Sequence, residues 1–169
     1  MAGRRRARRD DATRLLDAKA ARLVAADLLS RRAWTEVELT RRLVRRGATH
    51  DIARAVVADM VGRGYVDDAA FARAFVDTRS ARGYGSARLS ADLRARGLAP
   101  ALIATALAHI DGAVQLEQAR GVATRRLPAL RRVAPERAAA RLRDHLLRRG
   151  FGAAVVLRVV REVTGTAAD

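Results

Sequence analysis

Apolar residues recur along this chain three and four positions apart, the spacing of one face of an α-helix. Leu15, Leu16, Leu23, Val24, Leu28 and Leu29 predict a first helix from about Asp11 to Ser30. Thr35 and Glu38 then make a Thr-x-x-Glu capping box ahead of Leu39 and Leu43, and that helix closes at Gly47. Thr49 can cap a third helix carrying Ile52, Val56 and Met60, with Val57 and Val61 alongside, which Gly62 and Gly64 end. Asp67 and Asp68 can cap the next, with Phe71, Phe75 and Val76, until Gly83, Tyr84 and Gly85 interrupt it. Ser86 restarts a helix that ends at Gly97, and Pro100 suits the first turn of one carrying Leu102, Ile103, Leu107 and Ile110. Leu116 to about Leu130 follows, then a turn marked by Pro128 and Pro135, then Leu142 and Leu146 up to Gly150. Val155, Val156, Val159, Val160 and Val163 supply the closing helix. β-type alternation is absent, so the pattern predicts an all-α protein of nine main helices without a sheet.

The breaks carry a longer period. Leu39, Leu43 and Gly47 form a Leu-x3-Leu-x3-Gly triplet that returns as Leu89, Leu93 and Gly97, and again as Leu142, Leu146 and Gly150. Five positions past each glycine stands another apolar residue: Ile52, Leu102 and Val155. A repeat of about fifty residues predicts three tandem three-helix units in an elongated, curved array. The expected division is a disordered basic arm at 1–10 and repeats at 11–64, 65–111 and 112–169. All six triplet leucines are expected to be buried.

Composition qualifies this picture. Half of the residues are apolar but only 4% are aromatic; alanine fills much of the apolar share, so burial is spread over many thin helix contacts. A formal net charge of +16, from 34 basic and 18 acidic residues, favours a partner with a negative field: nucleic acid, an acidic protein groove or anionic lipid. Lys19 is the single lysine. Arginine's planar fork suits phosphate and carboxylate, and a GC-rich coding bias gives the same skew. With no cysteine, there is no disulfide framework, thiolate metal site or thiol nucleophile. The basic N-terminus has no apolar segment behind its five arginines, and no apolar run approaches the ~20 residues of a membrane span. A cytoplasmic protein without a membrane partner is expected, and its basic arm should be dispensable for the core function.

Enzymatic motifs are missing: there is no Walker loop, GxSxG or HExxH. His50, His109 and His145 fall in different repeats without ligand partners nearby, and Asp67 with Asp68 reads as a helix cap rather than a metal pair. No enzyme, cofactor or metal is expected. Trp34, beside Arg31 and Arg32, is open to two readings, a staple onto its helix or a base-stacking platform.

Candidate partner-binding residues come from the Arg82-Gly83-Tyr84-Gly85 turn and the recurring arginines. Tyr84 either packs over the helix junction or meets a partner. Arg88 lies on the helix that follows. Arg46, Arg96 and Arg149 each precede a triplet glycine, where a cation either complements the helix C-terminus or forms part of a basic row facing a partner.

The string Gly64, Tyr65, Asp67, Asp68, Phe71, Ala72, Arg79, Gly83, Tyr84, Gly85, Arg88, Leu89, Leu93 and Gly97 resembles the central repeat of the RecX family of bacterial recombinase regulators. Arg32, Thr35, Glu38, Leu39, Leu43, Arg46 and Gly47 resemble the opening of its first repeat. Leu146, Leu147, Arg148, Arg149, Gly150 and Phe151 resemble its closing motif, while the stretch from Pro128 to Ala140 departs from the pattern. A monomer is expected, and the resemblance implies a nonenzymatic inhibitor. Such a protein lies in the groove of the RecA filament, bridges protomers and restrains recombinase, ATPase and coprotease activity, with single-stranded DNA as a further candidate contact. The alternative class is an autonomous nonspecific DNA-binding helical protein, supported by the net charge.

Overall fold

A computed structural model describes residues 15–165, and among them there are nine α-helices and no strand. The basic arm assigned to residues 1–10 lies outside the described residues. Contacts divide the chain into two compact units, one formed by residues up to Phe71 with Arg96–Leu98, the other by Ala72–Ala95 and the residues from Ala99 onward.

The first unit is built on α1 (Ala18–Arg31), α2 (Glu36–Arg45) and α3 (His50–Gly62). Among the described residues this helix starts at Ala18, because the Asp17 carboxylate caps it, accepting from the Ala20 N–H at 2.7 Å; the predicted start at Asp11 lies outside them. Leu16 is extended instead, donating its N–H to the Gly47 carbonyl at 2.9 Å. The buried face also differs from the predicted one. Ala21, Ala25 and Leu28 are buried, whereas Leu23 is 67% exposed. Two small side chains in succession let α1 approach its neighbours closely, and the larger leucine turns out.

Thr35 and Thr49 cap α2 and α3, accepting from the Glu38 and Ile52 N–H groups. The capping box at α2 is only half made. The Glu38 carboxylate pairs instead with Arg96 at 2.5 Å and Arg32 at 3.4 Å. Thr35 is fully buried and donates its hydroxyl to the Arg96 carbonyl at 2.8 Å, so the cap also fastens a segment sixty-one positions along the chain. Leu39, Leu43, Val56 and Val57 fill the core. Trp34 packs against that core, donates its indole N–H to the Leu28 carbonyl at 3.0 Å and carries the Arg32 guanidinium over its ring. The hydrogen bond fastens Trp34 to the preceding helix α1.

Helix α4 (Asp68–Ala81) is capped by Asp67, which accepts from the Ala70 N–H at 2.8 Å. Asp68 acts elsewhere, since its carboxylate accepts from the Glu36 N–H at 3.0 Å and so satisfies a free donor at the start of α2. Burial raises the Asp68 carboxyl above its ordinary pKa, opposed by that hydrogen bond.

The second unit continues with α5 (Ser86–Ala95), α6 (Pro100–Leu107) and α7 (Gly112–Arg126), then a 3-10 turn at Leu127–Leu130, α8 (Pro135–Arg148) and α9 (Ala153–Thr164). Pro100 sits in the first turn of α6 as predicted. Helix α7 begins ahead of Leu116 because Asp111 caps it, accepting from the Val114 N–H at 2.8 Å. Pro128 lies in the 3-10 turn, while Pro135 opens α8 rather than marking a turn. Helix α9 packs on both α7 and α8, and Val122, Leu130, Phe151, Val156 and Val159 form the core there. All six triplet leucines are buried, each with no accessible surface.

Candidate partner interface

The turn between α4 and α5 is held from inside the second unit. Gly83 N–H closes α4 on the Ser80 carbonyl, and Tyr84 N–H reaches the Arg79 carbonyl. Gly85 N–H then donates to the Arg149 carbonyl at 2.8 Å, and Ala87 N–H to that of Gly150 at 3.2 Å. The two backbones touch: a Cβ on Gly85 would lie 2.3 Å from the Gly150 oxygen, and one on Gly150 would lie 2.4 Å from the Arg88 nitrogen. Glycine at both positions is therefore a packing requirement, and Gly150 also holds a left-handed backbone at φ +88°.

This seam sets the side chains around it. Arg149 donates from Nη1 to the Arg82 carbonyl at 2.8 Å, and its guanidinium lies 4.9 Å from the centre of the Tyr84 ring. Arg79 stands 5.6 Å from the same ring. Tyr84 is half-buried between two cations and packs over the helix junction.

The six sequence-derived candidates thus fall in different surroundings. Arg82, Tyr84 and Arg149 come together at the turn. Arg88 is exposed and pairs with Asp92 at 2.9 Å. Arg96 belongs to the first unit, where it binds Glu38 and lies 5.7 Å from the Phe71 ring. Arg46, in the same unit, is exposed at the end of α2.

Sequence reasoning missed three residues beside the turn. Arg125 and Arg126 in the last turn of α7, with His145 on α8, join Arg82, Arg149 and Val122 around a cavity of 210 Å³. Paired arginines at the ends of two helices, Arg125 with Arg126 and Arg148 with Arg149, were the available signal. Burial and the positive charges of Arg149, Arg126 and Arg148 hold the His145 imidazole below its ordinary pKa, so it is neutral at physiological pH. Among the described residues no group of three or more His, Asp or Glu is placed to hold a metal, and no helix is long and apolar enough to cross a membrane.

Fold and site define a protein of helical repeats whose recognisable features are turns and cations. Known proteins make this specific. Residues 67–107 match the family model described as RecX, second three-helix domain. Regulatory protein RecX of Thermobifida fusca is 38% identical over 143 residues, covering 84% of this chain and 77% of that protein. Its counterpart in Streptomyces coelicolor is 32% identical over 143 residues, with 84% and 76% covered. Among solved structures, that of a regulatory protein RecX has a TM-score of 0.75 at 22% identity, covering 84% of this chain and 70% of its own. RecX from Lactobacillus salivarius also reaches 0.75, at 16% identity, with 88% and 97% covered. The structural likenesses show the same fold. The chain belongs to the RecX family.

Proposed function

We propose that this chain is a negative regulator of the RecA recombinase that binds the RecA–DNA filament and lowers its recombinase, ATPase and coprotease activity. The observation that carries this reading is the 38% identity to a regulatory protein RecX across 84% of the chain. A net charge of +16 suits a partner that carries DNA. In this reading the protein works by binding, without catalysis or a cofactor, as a cytoplasmic monomer, and residues 11–64, 65–111 and 112–169 act as three successive binding repeats.

The filament contact is assigned first to Arg46, Arg82 and Arg88, whose residues are exposed. Tyr84, Arg96 and Arg149 are assigned to the contact as well, each also engaged within its own unit. The test is RecA ATPase on single-stranded DNA with this protein titrated in. Inhibition at concentrations well below those needed to coat the DNA supports filament binding. Inhibition that appears only as the DNA becomes coated supports autonomous DNA binding instead.

A further inference from the structure

We propose that the cavity between the C-terminal ends of α7 and α8, beside the Arg82–Gly85 turn, is a binding site for phosphate groups. Its lining is Arg82, Arg125, Arg126, Arg149, His145 and Val122, with no carboxylate among them. Several other arginines of the same unit meet acids: Arg88 meets Asp92, Arg120 meets Glu162 at 2.7 Å, and Arg158 meets Glu162 at 3.0 Å. Glu117 lines the adjoining recess by Ser80 and Gln118, and it pairs with Arg120 at 3.4 Å. The four arginines of the cavity thus concentrate positive charge around an open recess whose lining holds no acidic side chain.

The chemistry of the lining selects the ligand. Guanidinium forks present paired N–H donors that match two oxygens of a phosphate, and several forks around one small volume favour a tetrahedral oxyanion over a single planar carboxylate. A volume of 210 Å³ equals that of about seven waters at ~30 Å³ each, enough for a phosphate with part of what it is attached to. The backbone seam between Gly85 and Gly150 holds the turn against the end of α8, so the backbone positions of Arg82 and Arg149 are set before any ligand arrives. Arg149 Nη1 already donates to the Arg82 carbonyl at 2.8 Å and to the Gly83 carbonyl at 3.5 Å, which leaves its Nε and Nη2 donors for the ligand. The phosphates can belong to a nucleic-acid backbone or to a free polyphosphate, and the cavity chemistry is common to both. The assignment is independent of RecA.

His145 reports on occupancy. The charged groups facing it are Arg82 on the turn, Arg125 and Arg126 on α7, and Arg148 and Arg149 at the end of α8. A bound phosphate cancels part of that positive field, so the imidazole should become easier to protonate.

The experiment follows the His145 ring resonances by NMR in the full chain while inorganic pyrophosphate is added, and separately a short oligothymidylate. Expected are saturable shifts with at least one of the two, a titration midpoint of His145 that moves upward, and affinity about ten-fold weaker in R125Q/R126Q. An Arg158→Gln control on α9 should keep wild-type affinity. Response to pyrophosphate alone assigns a free polyphosphate, and response to both assigns a site open to backbone phosphate. Arg125 and Arg126 are exposed, so their loss should leave the fold intact; if the double variant fails to fold, R126Q alone takes its place. The proposal is overturned if neither ligand perturbs His145 in the wild-type chain, if the Arg158→Gln control weakens binding as much as R125Q/R126Q, or if polyglutamate perturbs His145 as strongly as pyrophosphate.

Discussion

The two units use the same local grammar of caps, leucine pairs and glycine stops, yet each carries a recess of different chemistry. In the first, several cations are answered by acids: Arg63 and Arg22 share Asp59 at 2.9 and 3.6 Å, Arg31 meets Asp27 at 2.7 Å, and Glu38 holds Arg96 and Arg32. One recess there is a 480 Å³ groove of Ala26, Leu29, Ser30, Met60 and Tyr65, mostly apolar. In the second, arginines gather at the ends of two helices around a cavity that no carboxylate lines. A single net charge for the chain conceals this division. What decides binding chemistry is where acids are missing, since a paired arginine contributes little field beyond its partner.

The comparison can be broken first at the glycines. Gly150→Ala puts a Cβ into the Arg88 backbone and forces alanine into a left-handed conformation, so a loss of about 4 kcal/mol is expected. Gly64→Ala, at φ +75° with nothing within 4 Å, should cost only about 1–2 kcal/mol. Urea denaturation measures both, and equal losses would mean that the seam in the second unit is not a tight backbone contact. Next come Leu43→Ala and Leu142→Ala, each expected to cost about 3 kcal/mol because both side chains are fully buried. A loss under about 1 kcal/mol in one unit alone would show that its core is not packed as described.

Thr35→Ala sharpens the account of the first unit. It removes a cap and a buried hydrogen bond to the Arg96 carbonyl, for an expected loss of about 2 kcal/mol, whereas Thr35→Ser should retain most of the stability. The smallest effect concerns acid. Hydrogen bonds from Arg120 and then Arg158 pull the Glu162 carboxyl from 4.5 down to about 2. The stabilisation is therefore present above the ordinary glutamate pKa and is lost as pH falls through about 2. Glu162→Gln should flatten the pH dependence of unfolding between those values. Because this group is open to solvent, added salt should shrink the difference between variant and wild type.

Legibility in the sequence followed the range of each interaction. Thr35, Thr49 and Asp67 could be read as caps because a cap bonds three residues away. The leucine triplets could be read because helical periodicity fixes which side they share. Leu23 escapes that reading because periodicity does not say whether leucines or the alanines between them face the neighbour; Ala21 and Ala25 do. Glu38 fits a capping box by spacing, but Arg96 is the stronger partner and comes from a distant segment. The same holds for the cavity. Paired arginines mark the two helix ends, but Arg125, Arg126 and His145 lie on helices that meet Arg82 only through folding, and no spacing in the chain says that they meet.

The central claim is that this RecX-family chain acts on the RecA filament rather than on DNA alone. Its most direct test compares binding of the chain to preassembled RecA filaments and to the same single-stranded oligonucleotide without RecA, at two salt concentrations. The account predicts at least about ten-fold tighter binding to the filament, with the preference retained at the higher salt. Equal affinity for filament and naked oligonucleotide, falling together as salt is raised, would contradict it.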